Sequence, residues 1–179
     1  MKEKRVILNE NEISRMLTRM AYEILEKVSA QKNLAVVGIY TRGAFLAKRL
    51  KKIMDEIAGF DFPIGEIDIN LYRDDWTRIS AQPEVKESKI YFSVDDKEII
   101  LVDDVIFTGR TTRAAIDALL DFGRPSRIMF AALIDRDHRE LPIQPDVTGK
   151  FIETEKNERV NVFVKEADGE DMVFITGEN

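Results

Sequence analysis

Apolar residues recur along the chain in two alternating patterns, one with helical spacing and one in short continuous runs. Residues 9–28 carry apolar side chains at helical spacing, and Asn9 followed by Glu12 is typical of a capping box, so this stretch predicts an amphipathic helix. Residues 34–39 form a continuous apolar run that predicts a strand buried on both faces, and a second helix is predicted after Gly43.

The middle of the chain has a weaker pattern. Apolar and polar residues alternate over residues 64–71 and again over 90–94, which predicts two strands that pair as a β-hairpin flap. A long charged loop from about Arg73 to Lys89 separates them. A loop of this length is more typical of a lid or a disordered segment than of a structural connection.

A second strand, loop and helix unit is the clearest in the chain. Residues 99–102 predict a buried strand, and a loop through Gly109 leads to a helix over residues 111–122 that ends before Gly123. Residues 128–134 predict a third apolar strand, and short terminal strands are predicted at 160–164 and 172–175. Alternating strands and helices predict an α/β fold with a mostly parallel central sheet and helices on both faces. Ligands are then expected at the carboxyl ends of the strands.

Composition restricts the chemistry. We expect a single domain over residues 1–179, because 44% hydrophobic and 34% charged residues are typical of a globular protein. The absence of cysteine excludes disulfides, thiolate metal sites and a cysteine nucleophile. No segment is predicted to be a signal peptide or to span a membrane, so a cytoplasmic location is expected. The net charge of −6 means that any nucleic-acid site must be a local patch.

The loop after the second predicted strand combines features of a phosphate site. Backbone amides, the hydroxyls of Thr108, Thr111 and Thr112, and the N-terminus of the next helix can converge on one anion. Asp103 and Asp104 stand just upstream and are suitable acceptors for the vicinal hydroxyls of a ribose. A charged turn with a helix cap would explain the same residues. A Walker P-loop is excluded because the required glycine and lysine spacing is missing.

Segment 102–111, which reads Val-Asp-Asp-Val-Ile-Phe-Thr-Gly-Arg-Thr, resembles the phosphoribosyl-pyrophosphate (PRPP) motif of type I phosphoribosyltransferases. Phe107 stands where hypoxanthine-type enzymes carry an Asp that serves the purine base, and an aromatic residue here is similar to the PyrR family. That family comprises uracil phosphoribosyltransferases that also regulate pyrimidine operons by binding RNA. Further matches to it lie at residues 17–19, 37–39, 41–43, 71–75, 123–125 and 138–143.

The resemblance implies a type I phosphoribosyltransferase fold with a β-hairpin flap and a small hood, and it implies roles for individual residues. The implied catalytic residues are Arg42, Arg73, Asp103 and Asp104. The implied PRPP and nucleotide site consists of Thr41, Arg42, Gly43, Asp103, Asp104, Thr108, Gly109, Arg110, Thr111 and Thr112. The implied base-binding loop consists of Asp135, Arg136, Asp137 and His138, although a lone histidine is more often structural. Mg²⁺ is expected to accompany PRPP, held by substrate oxygens without a direct protein ligand.

The implied RNA surface consists of Thr18, Arg19, Lys27, Arg139 and Lys150. Helical spacing places Arg15 and Arg19 on one face, which suits phosphate contacts, although a solvated helix face explains them equally well. Three features depart from the family's pattern: Asp137 replaces a common Gly, Gln144 replaces a common Arg, and residues 153–158 are acidic.

The resulting hypothesis is an enzyme that makes UMP from uracil and PRPP and also regulates pyrimidine biosynthesis genes by UMP-responsive attenuation. Its expected partners are PRPP, uracil, UMP, a pyrimidine-operon leader RNA hairpin and further copies of the chain, in a homodimer or a higher homo-oligomer. Two alternatives remain open. One is an RNA-binding regulator with little catalysis, and the other is a phosphoribosyltransferase for another pyrimidine-like base without an RNA role.

Overall fold

A computed structural model describes residues 4–74 and 87–177 of the chain. Its strands are β1 (Lys4–Asn9), β2 (Leu34–Ile39), β3 (Ile64–Ile67), β4 (Glu98–Ile106), β5 (Arg127–Arg136), β6 (Val147–Ile152), β7 (Glu158–Phe163) and β8 (Met172–Gly177). Its helices are α1 (Glu10–Lys27), α2 (Arg42–Ala58), α3 (Arg110–Leu120) and the short α4 (Lys165–Asp168). Single 3₁₀ turns occur at Gln31–Asn33 and Asn70–Tyr72.

The central sheet has the strand order β3-β2-β4-β5-β6, and every neighbouring pair is parallel. Successive residues of a strand face opposite sides of a sheet. Val36 of β2 accordingly belongs to a buried cluster with residues of α1 and α2, whereas Val37 belongs to a second cluster with residues of α3. The prediction of a parallel sheet with helices on both faces is confirmed. Among the helices that the structure describes, none is long and apolar enough to cross a bilayer.

A second, antiparallel sheet has the order β1-β8-β7, and together with α4 we call it the hood. The terminal strands β7 and β8 were expected, but β1 and β6 were not. The apolar part of β1 is only three residues long, and its partner β8 lies at the other end of the chain. In β6, Gly149 and Lys150 interrupt the apolar pattern. Gly149 is required there, because a Cβ atom would lie 2.3 Å from the carbonyl oxygen of Leu133.

The β-hairpin flap expected from residues 64–71 and 90–94 is not formed by the parts of these segments that the structure describes. β3 pairs in parallel with β2 as an edge strand of the central sheet, and residues 90–94 are not in a strand. The first segment meets the residue just before the second at one antiparallel bridge, where Glu66 and Lys89 exchange backbone hydrogen bonds of 3.0 and 2.7 Å. Ile90 and Phe92 pack against the α3 side of the core, so packing without strand pairing explains their alternation. Most of the predicted lid, residues 75–86, lies outside the described residues.

The N-terminus of α1 is fixed by the predicted capping box. The Asn9 side-chain oxygen accepts a hydrogen bond from the Glu12 backbone N–H at 3.0 Å, and the Glu12 carboxylate accepts one from the Asn9 N–H at 2.8 Å. Because Asn9 is also the last residue of β1, one residue connects the hood directly to α1.

We expect Asn9→Ala to destabilise the fold, because it leaves the Glu12 N–H without its side-chain acceptor. Loss of such a cap costs about 1 kcal/mol, which corresponds to a decrease in Tm of about 2–4 °C for a chain of this size. Asn9→Ser keeps an acceptor and should retain most of the stability. Thermal unfolding of the three proteins tests this, and identical Tm values for Asn9→Ala and the unsubstituted protein would contradict it.

Candidate functional site

A polar cavity of about 330 Å³ opens at the carboxyl ends of β2 and β4. The loop after β2, the segment after β3, the end of β4 and the first turn of α3 form its walls. Its lining residues are Tyr40, Thr41, Arg42, Asp68, Ile69, Asn70, Arg73, Asp103, Asp104, Val105 and Thr111. Among them are all four residues implied to be catalytic, which the structure therefore brings together at the edge of the sheet where ligands were expected.

The two adjacent carboxylates stand within β4, near its carboxyl end. The Asp103 side chain is buried, with a relative exposure of 6%, and its Oδ1 accepts a hydrogen bond of 2.9 Å from the Asp104 backbone N–H. Asp104 Oδ1 accepts one of 2.8 Å from the Val105 N–H. Burial raises the pKa of Asp103 well above its usual range, and the neighbouring Asp104 charge raises it further. Burial also raises the pKa of Asp104. The pair is therefore costly for the fold when it is ionised.

The loop after β4 has the form of an anion site. Gly109 adopts a left-handed conformation with φ of 90°, which turns the chain into α3. The Thr108 hydroxyl accepts a hydrogen bond of 3.3 Å from the Arg110 N–H, and the Thr108 carbonyl accepts bonds from the N–H groups of Glu140 and Leu141. Thr111 in the first turn of α3 lines the cavity, so the N-terminus of this helix lies at the cavity wall, as in helix N-terminal phosphate sites.

Of the ten predicted PRPP residues, Thr41, Arg42, Asp103, Asp104 and Thr111 line the cavity, and the other five do not. The side chains of Arg110 and Thr112 are engaged elsewhere. The guanidinium of Arg110 forms ion pairs of 2.6 Å with both Glu140 and Asp74, so it ties the loop to neighbouring segments. Thr112, in the first turn of α3, is buried. Their contribution to a phosphate site is therefore limited to their backbone N–H groups.

The loop that joins β2 to α2 places Arg42 beside the cavity. Gly43 is required here, because a Cβ atom would lie 2.6 Å from the Val102 carbonyl oxygen and 3.0 Å from the Asp103 Cα atom. This close approach positions the N-terminus of α2 against β4. Arg42 donates two hydrogen bonds to Asp168 of α4 in the hood, from Nε at 3.0 Å and from Nη2 at 2.6 Å. Sequence reasoning missed Asp168, because no local pattern distinguishes it from its acidic neighbours.

The predicted base-binding loop lies at the end of β5, beside Phe107. The buried Arg136 guanidinium lies 3.9 Å from the centroid of the Phe107 ring, and burial lowers its pKa. The Asp137 carboxylate accepts hydrogen bonds from the hydroxyl and the N–H of Thr154, at 2.8 and 3.3 Å. His138 has φ of 70°, and its Nε2 lies 2.9 Å from the Thr154 carbonyl oxygen. The side chain that replaces the family's common glycine therefore binds the loop after β6.

The residues of the predicted RNA surface fall into two groups. Thr18, Arg19 and Lys27 are exposed on α1 and Lys150 is exposed on β6. Arg19 donates hydrogen bonds of 2.6 Å to the carbonyls of Thr148 and Gly149, so α1 and β6 share one surface.

Arg139 belongs to the second group, because it is mostly buried next to the base-binding loop. Its guanidinium donates to the carbonyls of Phe107 and Arg136, to the Asp135 carboxylate, and to the Gln144 side chain at 3.1 Å.

A resident metal site made of protein ligands alone is not evident within residues 4–74 and 87–177, where no group of three or more His, Cys, Asp or Glu residues could hold an ion. The cavity does present the carboxylates of Asp68, Asp103 and Asp104. Oxygen donors of this kind fit Mg²⁺, which usually keeps several waters and is shared between carboxylates and substrate phosphates.

Comparison with known proteins agrees with this geometry. Residues 6–167 match the family model described as phosphoribosyl transferase domain. A solved hypoxanthine-guanine-xanthine phosphoribosyltransferase shares the fold with a TM-score of 0.69 at 20% identity, covering 97% of this chain and 94% of that one. A Bacillus anthracis hypoxanthine-guanine phosphoribosyltransferase gives 0.71 at 17% identity, covering 97% and 98%. Fold and site thus define a phosphoribosyltransferase of type I.

Relatives of much higher identity show which family of phosphoribosyltransferases the chain belongs to. A "Bifunctional protein PyrR" from Desulfosudis oleivorans is 50% identical over 176 residues, which cover 98% of this chain and 97% of that protein. Proteins of the same name from Deinococcus radiodurans and Thermus thermophilus are 49% and 50% identical, over 95% and 97% of this chain and 93% and 96% of theirs. The chain belongs to the PyrR family.

We expect Asp103→Asn to raise the Tm of the ligand-free protein at neutral pH, because it removes a buried charge and keeps an oxygen that accepts the Asp104 N–H. The raised pKa of Asp103 means that the unfolded chain loses this proton first, at a pH of about 4. The contribution of Asp103 to wild-type stability therefore falls as pH rises from there through the raised value. The advantage of the variant should grow over the same range.

Thermal unfolding at a series of pH values tests this expectation. Each 1 kcal/mol of stabilisation corresponds to an increase in Tm of about 2–4 °C. A Tm difference that does not depend on pH, or a variant that is less stable at neutral pH, would contradict it.

Proposed function

We propose that this chain is a uracil phosphoribosyltransferase that converts uracil and PRPP to UMP and pyrophosphate, and that it also regulates pyrimidine biosynthesis genes as a UMP-responsive RNA-binding protein. The observation that carries the enzymatic part is the convergence of Arg42, the Asp103 and Asp104 pair and the N-terminus of α3 on one cavity. The bifunctional relatives, about 50% identical over nearly the whole chain, support the regulatory part.

The position of PRPP follows from the charges around the cavity. We place the 5′-phosphate at the first turn of α3, where backbone amides and the Thr108 and Thr111 hydroxyls would bind an anion. The ribose then lies over Asp103 and Asp104, whose carboxylates accept hydrogen bonds from its vicinal hydroxyls. The pyrophosphate reaches the loop at residues 41–43, where Arg42 stands.

Transfer requires the C–O bond between the ribose and the pyrophosphate to break while a ring nitrogen of uracil attacks the same carbon and gives up its proton to the departing pyrophosphate or to water. Negative charge grows on the leaving pyrophosphate, and Arg42 and Arg73 supply positive charge from the wall of the cavity. Mg²⁺ bound with PRPP would supply further positive charge for the leaving pyrophosphate. The Asp103 and Asp104 carboxylates lie near the ribose, where positive charge develops, so they stabilise the transition state electrostatically.

We place the base site beside Phe107 and the loop at residues 135–138, where the Arg136 guanidinium packs on the Phe107 ring. Phe107 is partly exposed, at 38%, and offers an apolar ring where purine enzymes of the class place an acid. Because the Asp137 carboxylate is bound to Thr154, it does not compete with the backbone groups of this loop for the edge of uracil. The loop is therefore suited to a pyrimidine despite its departure from the family's glycine.

The expected substrate profile is nucleotide formation from uracil and little or none from hypoxanthine or guanine, measured with PRPP and Mg²⁺ for a panel of bases. Asp104→Asn should lower the PRPP-dependent rate by about tenfold or more, because it removes a charged acceptor for a ribose hydroxyl. Purine turnover comparable to that of uracil would contradict the base assignment. Activity with another pyrimidine-like base alone would favour the alternative substrate, and unchanged kinetics in the variant would contradict the ribose assignment.

The regulatory part of the proposal assigns RNA phosphates to the surface formed by Thr18, Arg19, Lys27 and Lys150, with Arg139 linking the nucleotide to RNA. Arg139 binds the carbonyls of Phe107 and Arg136 on the side of the base and Gln144 on the other. A nucleotide that orders the Phe107 and Arg136 carbonyls also orders Arg139 and, through it, Gln144. By linkage, RNA and UMP then strengthen each other's binding. We further propose that one domain carries both functions in the cytoplasm and that at least two copies assemble to bind a pyrimidine-operon leader hairpin.

Gln144→Arg should tighten binding of the leader RNA hairpin and steepen its dependence on salt by about one unit of slope, because each added phosphate contact releases one counterion. Gln144 is well placed for this, since its side chain contacts Arg139. Titrations at several salt concentrations, with and without UMP, test the prediction, and Gln144→Glu should shift affinity the other way. If the unsubstituted protein binds no hairpin specifically even at low salt, the chain is an enzyme without the regulatory function.

A further inference from the structure

The contact between Arg42 and Asp168 joins the cavity to the hood. Both hydrogen bonds lie between the same two side chains, so the guanidinium and the carboxylate meet edge to edge in a bidentate ion pair. The carboxylate is itself held, because its Oδ2 also accepts a hydrogen bond of 2.8 Å from the Val164 N–H at the start of α4. The side chain of Asp168 is only 13% exposed. Arg42 is therefore bound by a fixed and largely buried partner.

The ion pair leaves Arg42 able to bind a second anion. A guanidinium carries five N–H donors, and the Nε and Nη2 contacts to Asp168 use two of them. The remaining donors lie on Nη1 and on the outer side of Nη2. Because Arg42 also lines the cavity, a pyrophosphate oxygen can approach these donors while Asp168 stays bound. Asp168 then fixes the plane in which they point.

We propose that Asp168 is a positioning residue for phosphoribosyl transfer, which holds the Arg42 guanidinium in the orientation that binds the pyrophosphate of PRPP. This inference rests on the proposed function. A free arginine side chain would lose its rotamer freedom each time PRPP binds. An arginine already held by Asp168 has lost that freedom on folding, so ordering the site reduces the free energy of PRPP binding by less.

A second ion-pair network between the same two elements provides a matched control. Arg49 of α2 binds Glu166 of α4 at 2.9 and 2.5 Å, and it binds Asp171 through two contacts of 2.8 Å. Neither Glu166 nor Arg49 lines the cavity. α4 is therefore attached to α2 independently of Arg42, and the loss of the Asp168 carboxylate alone does not release the hood.

The test compares Asp168→Asn with Glu166→Gln, since each removes one carboxylate charge between α4 and α2. We expect Asp168→Asn to raise the KM for PRPP by about tenfold, because a neutral amide offers one acceptor in place of two charged ones. The KM for uracil should change by less than about twofold, as should both constants in Glu166→Gln. Asp168→Glu should recover part of the loss. Equal effects of the two neutral variants on PRPP would mean that Asp168 only ties the hood to α2, and would overturn the proposal.

A double-mutant cycle with Arg42→Ala tests whether Asp168 acts through Arg42. If it does, Asp168→Asn adds no further loss of PRPP affinity in the Arg42→Ala background, whereas independent effects would add. Additive losses would overturn the proposal, and so would tighter PRPP binding by Asp168→Asn, since the carboxylate would then compete with pyrophosphate for the arginine.

Calorimetric titration with PRPP and Mg²⁺ separates this inference from the proposed function. If the wild-type protein binds no PRPP, the proposed function fails and Asp168 has no PRPP site to serve. If the wild-type protein binds PRPP and Asp168→Asn binds it equally well, the inference fails alone.

Discussion

The burial of β4 determines where the chemistry of this protein can lie. The strand pairs with β2 on one side and β5 on the other, and helices cover both of its faces. The middle of the strand, residues 99–102, is apolar and buried, and near its carboxyl end the chain places Asp103 and Asp104. The apolar residues earlier in β4 contribute the burial energy that offsets the cost of two adjacent carboxylates. The same core that positions the two carboxylates thus disfavours their ionised form.

Local sequence patterns correctly predicted the elements that are determined by neighbouring residues. The apolar runs of β2 and β4 predicted buried parallel strands, and the residues around Gly109 predicted the start of α3, because strand burial and helix capping depend on nearby residues. The alternation at residues 90–94 was misleading, since contact with the α3 side of the core can impose the same pattern as pairing in a sheet.

Contacts between residues far apart in the sequence could not be predicted from local patterns. Arg42 and Asp168 are 126 residues apart, and neither their spacing nor their neighbours indicate the ion pair. The contact of Asp137 with Thr154 is similar: the sequence shows a carboxylate in place of a glycine, but only the fold shows that the loop after β6 offers it two donors. The family resemblance predicted part of the cavity lining, including Arg42, Asp103 and Asp104, whereas the partner of Arg42 in the hood had to come from the structure.

The direct junction of β1 and α1 has a mechanical consequence. Asn9 ends the strand and caps the helix, and its two hydrogen bonds with Glu12 close the joint without a linker. One side of this joint is a strand of the hood, and the other is a helix that Arg19 and Lys27 fasten to β6 and to the segment before it. α1 is therefore held by the central sheet. A tilt of the hood over the cavity would accordingly act on the two hydrogen bonds at Asn9 and would have to be absorbed there.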